Sequence, residues 1–297
     1  MSGFFYYILL ILTYPLAILP FRILYYLSDL MFFITYYLVH YRRKLVRKNL
    51  TNAFPDKSER EIKDIEHTFY HQFCDYFFET IKILSMSDAR MKKHYVFKNE
   101  ELIQYFLNDE KPVILMLGHY GNWEWVTSII LWMKQKENLE IGQIYRPLKD
   151  KAFDRLFIKI RTHFHTYNYS KNAIYREIIR MRKSNKKWLL GFISDQKPSP
   201  QNIHYWTEFL NQETAVLTGA ERIAKQTNTV VCYLDVKREK RGFYEGKIKL
   251  ITDNPSETEE FEITEKYTRL LEKTILRDPS RYLWTHNRWK HKREHFE

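Results

Sequence analysis

Val113-Ile114-Leu115-Met116-Leu117-Gly118-His119-Tyr120-Gly121-Asn122-Trp123-Glu124 joins five consecutive apolar residues to a short turn. That turn carries one histidine and, five positions on, one carboxylate. An unbroken apolar run of this length, closed by a turn, reads as a strand buried on both faces. Asn122 stands where it can cap a helix over residues 123–134. Strand, turn and helix in that order form the unit of a parallel α/β sheet. A histidine is the natural general base near neutral pH, and a carboxylate can fix its tautomer and stabilise the imidazolium. Five residues rotate a side chain by about 140° on a regular helix. His119 and Glu124 therefore meet only if His119 lies in the turn and Glu124 in the first helical turn, where free N–H groups also favour an oxyanion. The same Glu124 equally suits an ordinary first-turn carboxylate that complements the helix dipole.

The unit recurs outward from this stretch. Residues 102–107 read as a helix, 141–145 as a second strand, and 150–163 and 172–184 as helices. Residues 188–194 read as a third strand, 215–226 as a helix, and 229–236 as a fourth strand. Residues 245–251 read as a fifth strand, free to run antiparallel, and 258–277 as a closing helix. Upstream, residues 58–84 have helical period, with Ile62, Ile65, Phe69, Phe73, Tyr76, Phe77 and Ile81 on one face. The expected fold is α/β: a central, mainly parallel sheet flanked by helices. In such sheets sites gather at the carboxyl ends of strands. His119, Arg146 and Asp195 each follow one of these ends.

Residues 3–21 carry no charge and are just long enough, as a helix, to cross a hydrocarbon core of about 30 Å. Pro15 and Pro20 interrupt them, so the segment is either a spanning anchor or a kinked, interfacial one. No basic residue precedes the apolar stretch, unlike a cleaved signal peptide. A second apolar run, 30–39, is followed by Arg42-Arg43-Lys44, which orients such an anchor with its C-terminal side toward the cytoplasm. The chain thus divides into a membrane anchor over residues 1–41 and an α/β domain over 42–297. A buried hairpin of a soluble protein is the alternative for the first part. The formal charge of +12 favours acidic partners, and 22 tyrosines and 20 phenylalanines suit a surface that meets headgroups or long apolar ligands. Cys74 and Cys232 sit in apolar contexts without metal-type spacing and read as reduced structural thiols.

Several residues are candidates for binding. Arg146 suits a phosphate or carboxylate, and otherwise a surface position beside Pro147. Asp195 with Gln196 suits a polar headgroup or support of Arg146, and otherwise a strand-end turn. Arg288 lies in Trp284-Thr285-His286-Asn287-Arg288-Trp289-Lys290, where aromatics and cations interleave. That segment suits a phosphorylated headgroup, or is a solvated basic tail. Asn122 completes this set beside the histidine.

Together these residues carry a resemblance. The chain resembles the lipid A late acyltransferases of Gram-negative bacteria, within the lysophospholipid acyltransferase superfamily. The likeness covers nearly the whole chain, including Arg43–Leu50, Ala53-Phe54-Pro55, Gly118–Glu124, Tyr145-Arg146-Pro147-Leu148, Ser194-Asp195-Gln196, Ala220–Ala224 and Leu283–Lys290. What the resemblance implies is transfer of a fatty acyl group from acyl carrier protein, or coenzyme A, to a lipid hydroxyl at the cytoplasmic face of the inner membrane. By the family pattern His119 is the general base, Glu124 its partner, Arg146 a headgroup or donor contact, and Asp195 part of a third pocket motif. The expected partners are acyl carrier protein, an anionic membrane lipid and a glycolipid acceptor. No metal, resident cofactor or nucleic acid is expected. Backbone N–H groups near residues 121–123, or a nearby cation, are expected to hold the oxyanion. Other lysolipid or aminolipid acceptors are alternatives, as is a thioesterase that activates water with the same pair. A non-enzymatic membrane- or nucleic-acid-binding module would leave three polar motifs at strand ends without a role.

Overall fold

The computed structural model describes residues 2–134 and 137–296. Five α-helices come first: α1 (Ser2–Ile18), α2 (Phe21–Phe33), which a π-helical turn over Ile34–Leu38 extends, α3 (Arg43–Ala53), α4 (Glu59–Lys82) and α5 (Asp88–His94). Strand β1 (Tyr95–Lys98) and helix α6 (Glu100–Asn108) lead into β2 (Val113–Leu117), β3 (Leu139–Tyr145), α7 (Lys151–Arg161) and β4 (Tyr167–Ser170). Then follow α8 (Ile174–Lys183), β5 (Lys187–Ile193), the short pair β6 (Trp206–Glu208) and β7 (Glu213–Ala215), and α9 (Gly219–Thr227). Strands β8 (Val230–Lys240) and β9 (Phe243–Thr252) and helix α10 (Glu262–Arg277) complete the order.

The apolar run that opened the sequence is central. All five side chains of β2 are buried, and the strand pairs in parallel with β5 on one side and β8 on the other. The seven-stranded sheet has the order β1-β9-β8-β2-β5-β3-β4. All its pairings are parallel except β8 with β9, so β9 and β1 run against the other five strands. The mainly parallel sheet and the reversed strand near residue 245 therefore stand as expected. Three details differ. Residues Trp123–Trp132 form a 3-10 helix, not an α-helix. Trp125, Val126, Ile129 and Leu131 are all buried there, and packing overrides the better α geometry. The helix expected from residue 215 starts at Gly219, because Glu213–Ala215 pairs with β6. Strands β1 and β4 are four residues each, too short to show a period; β9 and β3 recruit them.

Helix α4 starts as its sequence dictates. Ser58 accepts from the Glu61 N–H, and the Glu61 carboxylate accepts from the Ser58 N–H at 2.9 Å, a reciprocal cap. At its other end Lys82 is buried, and its ammonium donates to the carbonyls of Ala17 (2.7 Å), Ile18 (3.3 Å) and Leu19 (2.8 Å). A cation there satisfies the orphan carbonyls of α1 and opposes its dipole. It pins the elbow before Pro20, where the chain turns into α2. Among the described residues no single helix is long and apolar enough to cross a membrane. Gly3–Ile18 and Phe21–Leu38 reach that length and apolarity only together, and they are bent by 119°. Lys82→Met should lower stability by about 1–3 kcal/mol, since it leaves the partly buried Ile18 and Leu19 carbonyls without this donor, while Ala17 O keeps the Ser85 hydroxyl. Urea denaturation measures this, and an unchanged midpoint would show that the elbow holds by packing alone.

The inner faces of α1 and α2 join the main core through Tyr6, Ala17 and Phe32. Their outer faces are apolar and exposed: Ile11 keeps 70 % and Tyr26 75 % of its accessible surface, with Phe4, Leu12, Ile18, Leu30 and Phe33 also outside.

Candidate active site

The turn after β2 is built for close approach. Gly121 has φ +62°, and a Cβ there would also lie 3.2–3.4 Å from Tyr244 and Val236. Residues 281–283 brace the turn: Gly121 N–H donates to Arg281 O (3.0 Å), and Leu283 N–H to His119 O (3.1 Å). The Gly121 N–H is thus already used and does not face an oxyanion, contrary to expectation.

His119 Nδ1 lies 2.6 Å from Asp195 Oδ1, and the His119 backbone N–H donates to Asp195 Oδ2 at 2.9 Å. One carboxylate therefore fixes both the ring and the turn beneath it. Burial alone would push the Asp195 carboxyl up. The His119 ring, its two hydrogen bonds and the Arg288 charge outweigh that and hold it below the usual carboxylate range. An ionised Asp195 accepts from Nδ1–H, so the lone pair sits on Nε2. Nε2 faces Gln196 Nε2 at 3.2 Å, and the Trp123 ring meets the imidazole edge-on at 5.0 Å.

Glu124 is elsewhere. It is buried, and Arg161 of α7 grips it with two hydrogen bonds, Nε–Oε2 at 2.8 Å and Nη2–Oε1 at 2.7 Å. Tyr76 donates to the same carboxylate at 3.3 Å. The expectation that Glu124 orients the histidine ring is corrected by this geometry: a first-turn carboxylate points outward to the neighbouring helix, and Nδ1 is taken from the far side by Asp195. Asp195 correspondingly supports His119 and not Arg146. Two further expectations change. Asn122 is fully buried as a cap, accepting from Trp125 N–H (3.2 Å) and donating to Glu79 (2.9 Å), so it contacts no ligand. Arg288 is buried too. It donates to Ala215 O at 2.7 Å, and among the described residues no carboxylate pairs with it within 4.0 Å, so it acts on Asp195 by charge and, being buried, does not grip a surface headgroup. Arg146 does stand exposed after β3, with no partner among the described residues.

Sequence reasoning missed Arg161, Glu79 and His286. Nothing local marks Arg161 or Glu79. His286 lies in the quoted C-terminal segment, and its place beside Asp195 depends on the turn that residues 281–283 brace. Burial pushes the His286 imidazole down to about 4; Arg288, His119 and Lys197 add to this and Asp195 opposes it. The ordinary value is 6.5. The unfolded chain therefore binds this proton first, and stability is lost as pH falls from about 6.5 toward about 4. The loss should be about 1 kcal/mol at pH 5 once solvent screening is allowed for. His286→Gln should flatten the fall in urea midpoint between pH 7 and pH 5; an unaltered slope would remove His286 from the account.

A histidine whose Nδ1 faces a buried aspartate, with Nε2 beside an amide, has the geometry to accept a proton at Nε2. The chain matches the family of bacterial lipid A biosynthesis acyltransferases over residues 2–291 and belongs to it; it is an acyltransferase. It is also similar to a lipid A biosynthesis acyltransferase of Haemophilus influenzae, with 24 % identity over 252 residues, covering 84 % of this chain and 78 % of the relative.

Proposed function

We propose that the protein moves a fatty acyl chain from the thioester of acyl carrier protein, or of coenzyme A, to a hydroxyl of a lipid A precursor or related glycolipid. The observation that carries this reading is the 2.6 Å contact of His119 Nδ1 with Asp195, which leaves Nε2 as the base. The acceptor hydroxyl displaces the Gln196 amide from Nε2 and gives up its proton there as its oxygen attacks the thioester carbon. Asp195 stabilises the imidazolium. The Gln196 amide, freed from the ring, is the nearest donor for the oxyanion. Collapse breaks the C–S bond, the imidazolium returns its proton to the departing thiolate, and the ester remains on the lipid. No covalent enzyme intermediate is required. Arg146 contacts the phosphorylated headgroup or the donor.

The bent α1–α2 pair rests in one leaflet of the inner membrane with the sheet on the cytoplasmic side. Its exposed apolar outer face supports an in-plane anchor better than a spanning one. The test is acyl transfer by purified protein, followed by mass spectrometry of the lipid product. Ester formation on the glycolipid with either thioester is expected. Release of free fatty acid without an acceptor, and no lipid ester, would favour a thioesterase. Loss of one acyl chain from the lipid of a strain lacking the protein would name the acceptor.

A further inference from the structure

We propose that the loop after β3 and the first turn of α7 form a second membrane contact, which enters an anionic leaflet beside α1 and turns the His119 end of the sheet toward it. The inference rests on the membrane reading above and adds a surface of the catalytic domain to it.

Helix α1 lies along α7. The Phe5 and Phe153 rings meet edge-on with centroids 6.4 Å apart, and the Arg155 guanidinium sits over the Tyr6 ring at 4.2 Å. A leaflet that covers the outer face of α1 therefore meets the start of α7 as well. There the chain presents two large apolar side chains, Leu148 at 46 % and Phe153 at 41 % exposure. Neither is held out by disorder. Asp150 caps α7 by accepting from Ala152 and Phe153 N–H (2.9 and 3.0 Å), and Asp154 accepts from Leu148 N–H (2.8 Å). Both carboxylates of the segment are thus turned to backbone, while Arg146, Lys149, Lys151, Arg155 and Lys159, in the same loop and helix as the apolar pair, are all exposed. Two exposed apolar side chains in a segment whose exposed charges are basic fit an anionic lipid surface, where each basic group near the phosphates adds to partition. The loop begins at the carboxyl end of β3, beside β5, whose own carboxyl end leads to Asp195. The contact thus places Arg146 at headgroup depth.

Vesicle flotation of the full-length protein tests this, with phosphatidylglycerol or phosphatidylcholine vesicles. Leu148→Glu/Phe153→Glu should lower partition onto phosphatidylglycerol vesicles about tenfold. Lys149→Glu/Lys151→Glu should erase most of the preference for the anionic lipid. Phe153 also meets the Phe5 ring of α1, so Leu148→Glu alone, which should lower partition in the same direction, accompanies the pair, and unaltered melting curves confirm the fold. Turnover of a detergent-dispersed acceptor should stay at the wild-type level. Equal partition of wild type and Leu148→Glu/Phe153→Glu overturns the proposal while leaving the α1–α2 anchor intact. A wild type that stays off both vesicles overturns the anchor together with it. Intact flotation with weakened capture of acyl carrier protein by the double glutamate variant would reassign the surface to the carrier.

Discussion

His119→Ala should lower acyl transfer at least about 10³-fold while the melting temperature moves by less than about 5 °C. In the proposed mechanism Nε2 is the base; Asp195 is buried and held below the usual carboxylate range, and the nearby His286 imidazole is pushed down to about 4, so both are weak substitutes for it. The fold loses little, because the imidazole is partly solvent-exposed and the Asp195 carboxylate keeps the backbone N–H of residue 119. Steady-state transfer with a saturating donor, beside a thermal melt, checks both halves. Activity near the wild-type level in a folded His119→Ala protein would sink the mechanism.

Asp195→Asn should cost about 10²–10⁴ in kcat. An amide NH2 facing the ring donates to Nδ1 and moves the proton to Nε2, which can then no longer accept one. ¹⁵N NMR of the His119 ring reads this directly as a change of tautomer. Glu124→Gln is the informative contrast. It removes the charge that pairs with half-sheltered Arg161, and should lower stability by about 2–3 kcal/mol, with the His119 tautomer unchanged. A tautomer shift in Glu124→Gln, or none in Asp195→Asn, would return the orienting role to Glu124.

Much of the architecture was legible in the chain. Val113–Leu117, the strand before Asp195 and the strand at 230 are buried on both faces, so their apolar runs have no competing explanation. The Ser58 cap and the period of α4 are local, and local signals survive folding unchanged. Strands β1 and β4 were not legible, since each is defined by a neighbour distant in sequence. The 3-10 turn at 123–132 escaped for a related reason: its backbone follows the packing of Trp125 and Ile129, which no window of sequence contains.

The site divides along the same line. The sequence by itself determined that a histidine, an arginine and an aspartate end three strands of one sheet, since strand ends follow from hydrophobic pattern. It also named Pro15 and Pro20 as interruptions of the apolar stretch; the chain bends at Pro20, whereas Pro15 stays inside α1. Which carboxylate serves the histidine was decided by tertiary structure alone. Glu124 is five residues from His119 and turns away to Arg161. Asp195 is 76 residues from it, and parallel pairing of β2 with β5 brings the two strand ends side by side. Proximity along a chain is set by covalent spacing, whereas direction of a side chain is set by what packs around it, and only the folded sheet supplies that.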